Sequence, residues 1–301
     1  MRIRVWQADD LPLAEAVLDP EPDSYWMMQR AGTHGIAVRQ DRFAITLVAE
    51  DETGLLGCAT MYENLFHPGH WPSTVEVVPG RRREGIGSAL ASALAEHCPA
   101  DRTLTVKVRD TYVAGIGFAT ALGATPYQRC PVPTIDPSDV RVRRWARVQG
   151  IPSGARVTAT AQLDPAEVLE AMITQYAWQH AAWSPMGGRE LLTELWRSTL
   201  TEADDQLSSA AVRQGQIVAL LPVFCAGASV EGLGETTHRD SADGAATFAA
   251  CLARTLIEAD RAGIGPIEFD GHDDDPHGAP VINQLPWASS DPCTLLQWRP
   301  A

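Results

Sequence analysis

Lysine is almost missing from this 301-residue chain: Lys107 is the one lysine among 24 basic residues, a bias that fits GC-rich coding DNA and carries no functional weight. Long uncharged apolar runs are missing too. No stretch reaches the roughly 18 residues needed to span a bilayer, and residues 1–10 carry Arg2, Arg4, Asp9 and Asp10 where a signal peptide needs an apolar core. A cytoplasmic protein is expected. The six cysteines (Cys58, Cys98, Cys130, Cys225, Cys251, Cys293) stand singly, without CxxC or ligand-like spacing. Buried thiols are therefore expected, and neither disulfides nor a bound metal. Net positive charge is also lacking: the balance of −14 argues against nucleic acid or an anionic membrane as partner.

The charge that is present is unevenly spread. Residues 1–150 hold 16 Lys and Arg against 18 Asp and Glu, whereas residues 151–301 hold 8 against 20. The length, with 45% hydrophobic and 21% charged residues, predicts a globular chain of two domains. The Gly/Pro/Ser linker at residues 149–154 sets the boundary, giving domains 1–150 and 151–301.

Local patterns predict a mixed α/β order in the first half. A strand over residues 3–6 leads to a helix opened by Asp9 and Asp10. Apolar runs at 44–50 and 55–61 flank the turn signal Asp51-Glu52-Thr53-Gly54, which reads as a hairpin. Then follow a strand (74–78), a Gly/Arg loop (79–85), a helix (86–97), a strand (104–108) and a short helix (112–122) capped by Gly123, with further strands at 127–132 and 140–148. The second half repeats this grammar: helices at 165–176 and 189–198, a hairpin from 208–212 and 217–224, a strand (232–237), a helix (245–261), a strand (267–270), a short helix (279–285) and a last strand (294–298). The match between halves is one of element order, with little identity of letters.

The run Val77-Val78-Pro79-Gly80-Arg81-Arg82-Arg83-Glu84-Gly85-Ile86-Gly87-Ser88 carries the chemistry. Glycines at 85 and 87 allow a sharp turn into a helix, whose free N–H groups and dipole face a docked anion, and Arg81, Arg82 and Arg83 add charge suited to phosphates. Gly-x-Gly alone is a weak signal, and Leu90 stands where a dinucleotide fingerprint would need its third glycine. The wider pattern is stronger. Residues 82–87 resemble the coenzyme A loop of GCN5-related N-acetyltransferases: Gln or Arg, two residues, Gly, any residue, then Gly or Ala. Residues 118–124 are similar to that family's closing helix, with Ala124 in place of its terminal Phe, and the likeness extends over about residues 2–130.

The resemblance implies an α/β (α+β) fold of two tandem GNAT-like domains, each a mixed, mostly antiparallel sheet flanked by helices, as in mycothiol synthase and bleomycin-type antibiotic N-acetyltransferases. It implies that acetyl-CoA binds the first domain through Val77, Val78, Arg82, Arg83, Glu84, Gly85, Ile86, Gly87, Ser88 and Phe118. Residues 236–244 and 281–287 look like a degraded copy of the loop and closing helix, so the second domain is expected to shape the substrate pocket. The implied reaction is acetylation of a primary amine on a small or medium cationic metabolite, an antibiotic being one such acceptor. An acetyltransferase of thiol biosynthesis and a non-catalytic acyl-CoA sensor are the alternatives. A homodimer is compatible with either.

Acyl transfer to an amine needs a proton acceptor. Glu76, the ionisable group on strand 74–78, is the candidate base or else a solvated strand residue. The family's usual tyrosine acid is replaced by Ala119, leaving Tyr112 and Tyr127 as substitutes. Trp26, Met27 and Met28 are candidates to line the acceptor site, or are helix core; so are Tyr176, Trp178 and Trp183. Asp270, Asp273, Asp274 and Asp275, with Glu231 and Glu235, could hold a cationic acceptor, or be plain acidic surface. His67, His70, His272 and His277 read as solvated loop residues.

Overall fold

A computed structural model describes residues 1–18, 43–227 and 229–299 of the chain. Trp26, Met27 and Met28 lie outside the described residues. In chain order the elements are β1 (Arg2–Val5), α1 (Asp10–Val17), β2 (Ala44–Asp51), β3 (Gly54–Tyr62), β4 (His70–Val77), α2 (Ile86–Ala95), β5 (Thr103–Arg109), α3 (Val113–Ala121) and β6 (Thr125–Cys130). There follow β7 (Pro133–Ile135), α4 (Val140–Val148), β8 (Ala155–Ala159), α5 (Pro165–His180), α6 (Arg189–Leu200), β9 (Ser209–Arg213), β10 (Gln216–Leu221), β11 (Val223–Ala226), β12 (Ser229–Leu233) and β13 (Glu235–Thr236). The chain ends with α7 (Gly244–Ala262), β14 (Ile267–Asp270), α8 (Gly278–Ile282), β15 (Ser289–Ser290) and β16 (Cys293–Trp298). Among the described residues no helix is long and apolar enough to cross a membrane.

The chain folds as two units, Met1–Val108 with Tyr112–Tyr127 and Leu295–Ala301, and Arg109–Thr111 with Gln128–Thr294. The compact units therefore do not divide at residue 150. Residues 128–150 join the second unit because β7 pairs with β14 and Val142 enters that unit's core. The chain's last residues return to the first, where Leu296 and Trp298 fill the core and Arg299 Nε bonds Thr103 Oγ1 at 3.1 Å.

The first unit's sheet runs β1-β2-β3-β4-β5-β16-β6. Its hairpin is the one read from residues 51–54: Thr53 N donates to Asp51 Oδ1 at 2.8 Å, and Gly54 takes a φ of 119°. Period-two alternation then sorts the side chains. Leu47, Ala59 and Met61 meet Ile86, Leu90 and Leu94 of α2 on one face, and Cys58 meets Ala14 and Leu18 on the other. The second unit holds a four-stranded sheet β13-β10-β9-β8 and a five-stranded sheet β11-β12-β14-β7-β15, with α7 at the heart of its core.

Residues 140–148, expected as a strand, form α4. Asp139 caps it by accepting from Arg141 N at 2.7 Å, and Val142 and Ala146 point inward one turn apart while Arg141, Arg143, Arg144 and Arg147 face solvent. The valines suggested β structure, but Val140 and Val148 are exposed and the capping acid decides.

β4 and β5 are parallel neighbours only at His70↔Thr103, Trp71↔Leu104 and Pro72↔Thr105. Past that point the Ser73 hydroxyl donates to the Thr105 carbonyl at 3.1 Å, in a buried position. Ser73→Ala would leave that carbonyl without its donor and should lower unfolding free energy by about 1–2 kcal/mol in urea titration.

Candidate active site

Where β4 leaves β5 it stays paired with β3, through Gly57↔Val77, Cys58↔Glu76, Ala59↔Val75 and Thr60↔Thr74. Val78 N donates to Leu56 O at 2.9 Å, so alternation turns the peptide groups of Val78 and Glu76 toward β3 and those of Val77 and Val75 toward the parted side. Of the two valines expected to offer backbone to a thioester, Val77 faces the gap. Val78 is spent on β3, and its carbonyl takes Arg81 N at 2.9 Å.

The loop after β4 is wound by two left-handed residues, Arg83 at φ 72° and Gly85 at φ 82°. Gly85 is the N-cap of α2, and a Cβ there would meet nothing within 4 Å, so open space lies in front of it. Gly87 serves differently from its expected part in the turn: a Cβ on it would come within 3.1 Å of the Phe118 ring, so glycine here lets α3 close onto α2. Helix geometry leaves Ile86, Gly87 and Ser88 N–H without acceptors in their own helix, while Ala89 N reaches Gly85 O at 3.0 Å. Ile86 is buried; Arg82, Arg83, Glu84, Gly85 and Ser88 are exposed at the mouth.

The three arginines divide their work. Arg81 binds Glu84 Oε2 at 2.9 Å and Asp51 Oδ2 at 3.3 Å, and Glu84 first and Asp51 next raise its pKa, so it braces the loop instead of facing an anion. Arg82 Nε donates to the Val77 carbonyl at 3.2 Å, at the edge of the gap. This surface of two exposed guanidiniums, a helix N-terminus and a backbone cradle fits a pyrophosphate.

Glu76 is 6% exposed, so it is a buried carboxylate and not a solvated strand residue. It shares its sheet face with Cys58, Thr74 and Thr60, and Thr60 Oγ1 lies 2.8 Å from Thr46 Oγ1. Tyr112 precedes α3, is 45% exposed and lays its ring over Gly115, where a Cβ would sit 2.5 Å from it. Tyr127 packs against His70 at a tilt, with centroids 4.9 Å apart, and burial lowers the His70 pKa.

In the second unit the corresponding strand changes partners at Gly234. β12 runs parallel to β14 (Glu231↔Glu268 to Leu233↔Asp270), and β13 then pairs with β10. The space so opened is closed by the unit's own side chains. Glu235, fully buried, accepts from Thr236 N (2.7 Å), His277 N (3.1 Å) and Gly278 N (2.7 Å) and from the His277 ring (3.1 Å). Burial pushes its pKa up. The His277 ring lies on Gly244, the first residue of α7, at distances a Cβ could not tolerate, and Asp243 before it is bonded to Arg213 at 3.2 Å. Sequence reasoning missed Glu235 as the anchor of this closure and read His277 as a solvated loop residue. The pair is 42 residues apart, so no local pattern could link them.

The acids expected to hold a cation are largely engaged by side chains of β6 and α5. Asp273 pairs with Arg129 at 2.9 Å, and Asp274 accepts from Gln128 Nε2 at 2.8 Å. Asp275 is buried and accepts from His272 N (2.8 Å) and Gln179 Nε2 (3.2 Å). Burial opposes charge on both His272 and Asp275, yet each outweighs that for the other, raising the histidine pKa and lowering the aspartate's. Tyr176 packs on His180 and Trp196, Trp178 Nε1 donates to Thr236 O at 2.9 Å, and Trp183 Nε1 to Gln179 O at 3.0 Å.

No curated protein matches the chain in sequence. Solved structures share its fold. A GCN5-related N-acetyltransferase from Sphaerobacter thermophilus is similar at 16% identity and TM-score 0.67, over 99% of this chain and 95% of that one. A tandem GNAT protein from the clavulanic acid biosynthesis pathway is similar at 18% and 0.57, over 100% and 98%. An acetyltransferase of the GNAT family from Colwellia psychrerythraea is similar at 12% and 0.55, over 99% of each. The family model described as Acetyltransferase (GNAT) family matches residues 3–124, the stretch that holds the parted strands, the loop and Phe118. Residues 3–124 thus match the acetyltransferase (GNAT) family model, and the chain has a two-domain GNAT-like fold consistent with acyltransferase activity.

Proposed function

We propose that this chain transfers the acetyl group of acetyl-CoA to the primary amine of a small or medium cationic metabolite, with one acetyl-CoA site, in the first unit. The observation that carries this reading is the pairing of an open cradle at Gly85 with parted β4 and β5 strands whose Val77 peptide faces the gap. Arg82, Arg83, Glu84 and the N–H groups of Ile86, Gly87 and Ser88 would hold the pyrophosphate. Phe118 packs against Gly87 and keeps α3 against that cradle. Among the described residues the second unit shows no equivalent opening, since His277 covers Gly244 and Glu235 takes up the loop N–H groups.

In the reaction the amine nitrogen attacks the thioester carbonyl carbon. The C–N bond forms, the C–S bond breaks, and the thiolate leaves with coenzyme A. The Val77 N–H would bond the carbonyl oxygen as it gains charge, and the proton lost by the amine would pass to Glu76, directly or through a water. Tyr112 is the candidate to return a proton to the thiolate. A tailoring or resistance role toward an antibiotic amine, like that suggested by the bleomycin-type resemblance, belongs to this reading. A screen of cationic antibiotics and polyamines with acetyl-CoA, read by product mass, tests it: acetylated product is expected, and thiol release with no amine in the panel would remove the acceptor class.

Gly85→Glu should abolish acetyl-CoA binding in calorimetry, because it sets a negative side chain in the left-handed position at the cradle; unchanged affinity would remove the site. Arg83→Gly separates strain from contact. Relieving a left-handed arginine should raise unfolding free energy by about 1 kcal/mol while weakening coenzyme A binding. Glu76→Gln should lower kcat by roughly 10²-fold with acetyl-CoA affinity nearly unchanged, and equal turnover at neutral pH would exclude it as the base.

A further inference from the structure

We infer that Lys107 is an internal acceptor: its ε-amine takes the acetyl group of acetyl-CoA bound in the first unit, so that the chain acetylates itself at this residue. The inference rests on the acetyl-CoA site proposed above and adds to it an activity that needs no free amine.

Placement on the sheet carries it. β5 runs beside β4 through His70↔Thr103, Trp71↔Leu104 and Pro72↔Thr105, and paired residues of neighbouring strands point to the same face. Leu104, Val106 and Val108 turn to the face that packs on α2. Thr103, Thr105 and Lys107 therefore turn to the opposite face, the one that holds Pro72, Thr74 and Glu76. Lys107 follows the last paired residue of β5, Thr105, on the order of 7 Å further along the strand, and so stands on the far side of the gap from Thr74. It is partly buried.

The ligand comes in from the other end. The cradle at Gly85 lies beyond the C-terminal end of β4, so a thioester bonded by the Val77 peptide enters the gap from there and points its acyl group back toward the parting of the strands. Lys107 stands near that parting, on the face of Glu76. In the transfer one proton of the ammonium passes to Glu76, and the freed nitrogen lone pair attacks the thioester carbonyl carbon. The C–N bond forms and the C–S bond breaks. The electron pair leaves with the coenzyme A thiolate, which takes the second proton, and an amide without charge remains on Lys107.

Residue choice agrees with placement. Every other basic residue among the chain's 24 is arginine. The bias toward arginine says nothing of function, but the exception to it falls on the strand that borders the gap. Arginine would supply a positive charge there as well as lysine does. A guanidinium keeps its proton and is a poor nucleophile, whereas a lysine amine can lose a proton and attack a carbonyl carbon.

Incubation of the full chain with acetyl-CoA, followed by peptide mass analysis, tests the inference. Trypsin cuts after Lys107 only when its amine is free, so acetylation should appear as an uncut peptide Thr103–Arg109 heavier by one acetyl group. Positioning should make Lys107 react at least about 10²-fold faster than the α-amine of Met1, which serves as an internal measure of acetylation in solution. Lys107→Arg should abolish the product and Gly85→Glu should suppress it. Excess free coenzyme A on the parent chain should suppress it too, which decides the matter if the glycine variant does not fold. Equal labelling of Met1 and Lys107, or a rate at Lys107 that excess coenzyme A leaves unchanged, would overturn the inference. Acetyl-CoA that binds in calorimetry and acetylates an added amine while Lys107 stays unmodified would overturn it and leave the proposed transfer standing. Absence of acetyl-CoA binding would overturn both.

Discussion

Two parallel strands that share only three residues of pairing before they part leave a row of backbone N–H and C=O groups that must find other partners, since such groups are too costly to bury alone. In the first unit this constraint organises everything near the site. The Ser73 hydroxyl takes over the first vacated carbonyl, Arg82 reaches back to the Val77 carbonyl, and the Val77 N–H is left pointing into the gap. The glycine loop and the N-terminus of α2 begin within nine residues of that point, so a ligand that bonds the strand edge also meets the helix. Strand edge and helix start are thus one surface, made by the same departure of β4 from β5.

The second unit answers the same parting with its own carboxylates. Glu235 and Asp275 accept from four backbone N–H groups, those of Thr236, His277, Gly278 and His272. This is an expensive solution, because both carboxylates are buried, and the upward shift of Glu235 reflects that burial. It is also a self-sufficient one: the histidine ring that bonds Glu235 lies on Gly244 and closes the entrance to α7. Part of the −12 balance of residues 151–301 is therefore internal scaffolding and not surface charge.

Local constraints were the legible ones. The hairpin at residues 51–54 and the loop at 82–87 were visible because a positive φ or a capping acid is imposed by neighbours in sequence, and Gly54 and Gly85 do adopt such angles. What depends on distant partners was not visible. Gly87 looked like a turn residue, but its reason is the Phe118 ring; β16 looked like the end of the second domain, but its side chains complete the first unit's core. Residues 140–148 form α4 instead of the expected strand because Asp139 caps a helix whose Val142 and Ala146 are buried one turn apart. The acids at 273–275 looked free because their partners, Arg129, Gln128 and Gln179, lie about a hundred residues or more away in sequence.

Electrostatics in the first unit turns on the pairing of Arg81. The loop carries its own acid, Glu84, and Asp51 stands on the adjoining hairpin; left alone, these would repel the anion the cradle is shaped to hold. Arg81 binds both. Because attraction between exposed charges fades over about 8 Å in physiological salt, what matters is the local sum and not the chain's −14. With both acids engaged by Arg81, the exposed Arg82 and Arg83 and the α2 N-terminus dominate the field at the mouth. An acidic protein can therefore hold a polyanionic ligand at one place, provided the acids nearest that place are already bound to a cation of their own.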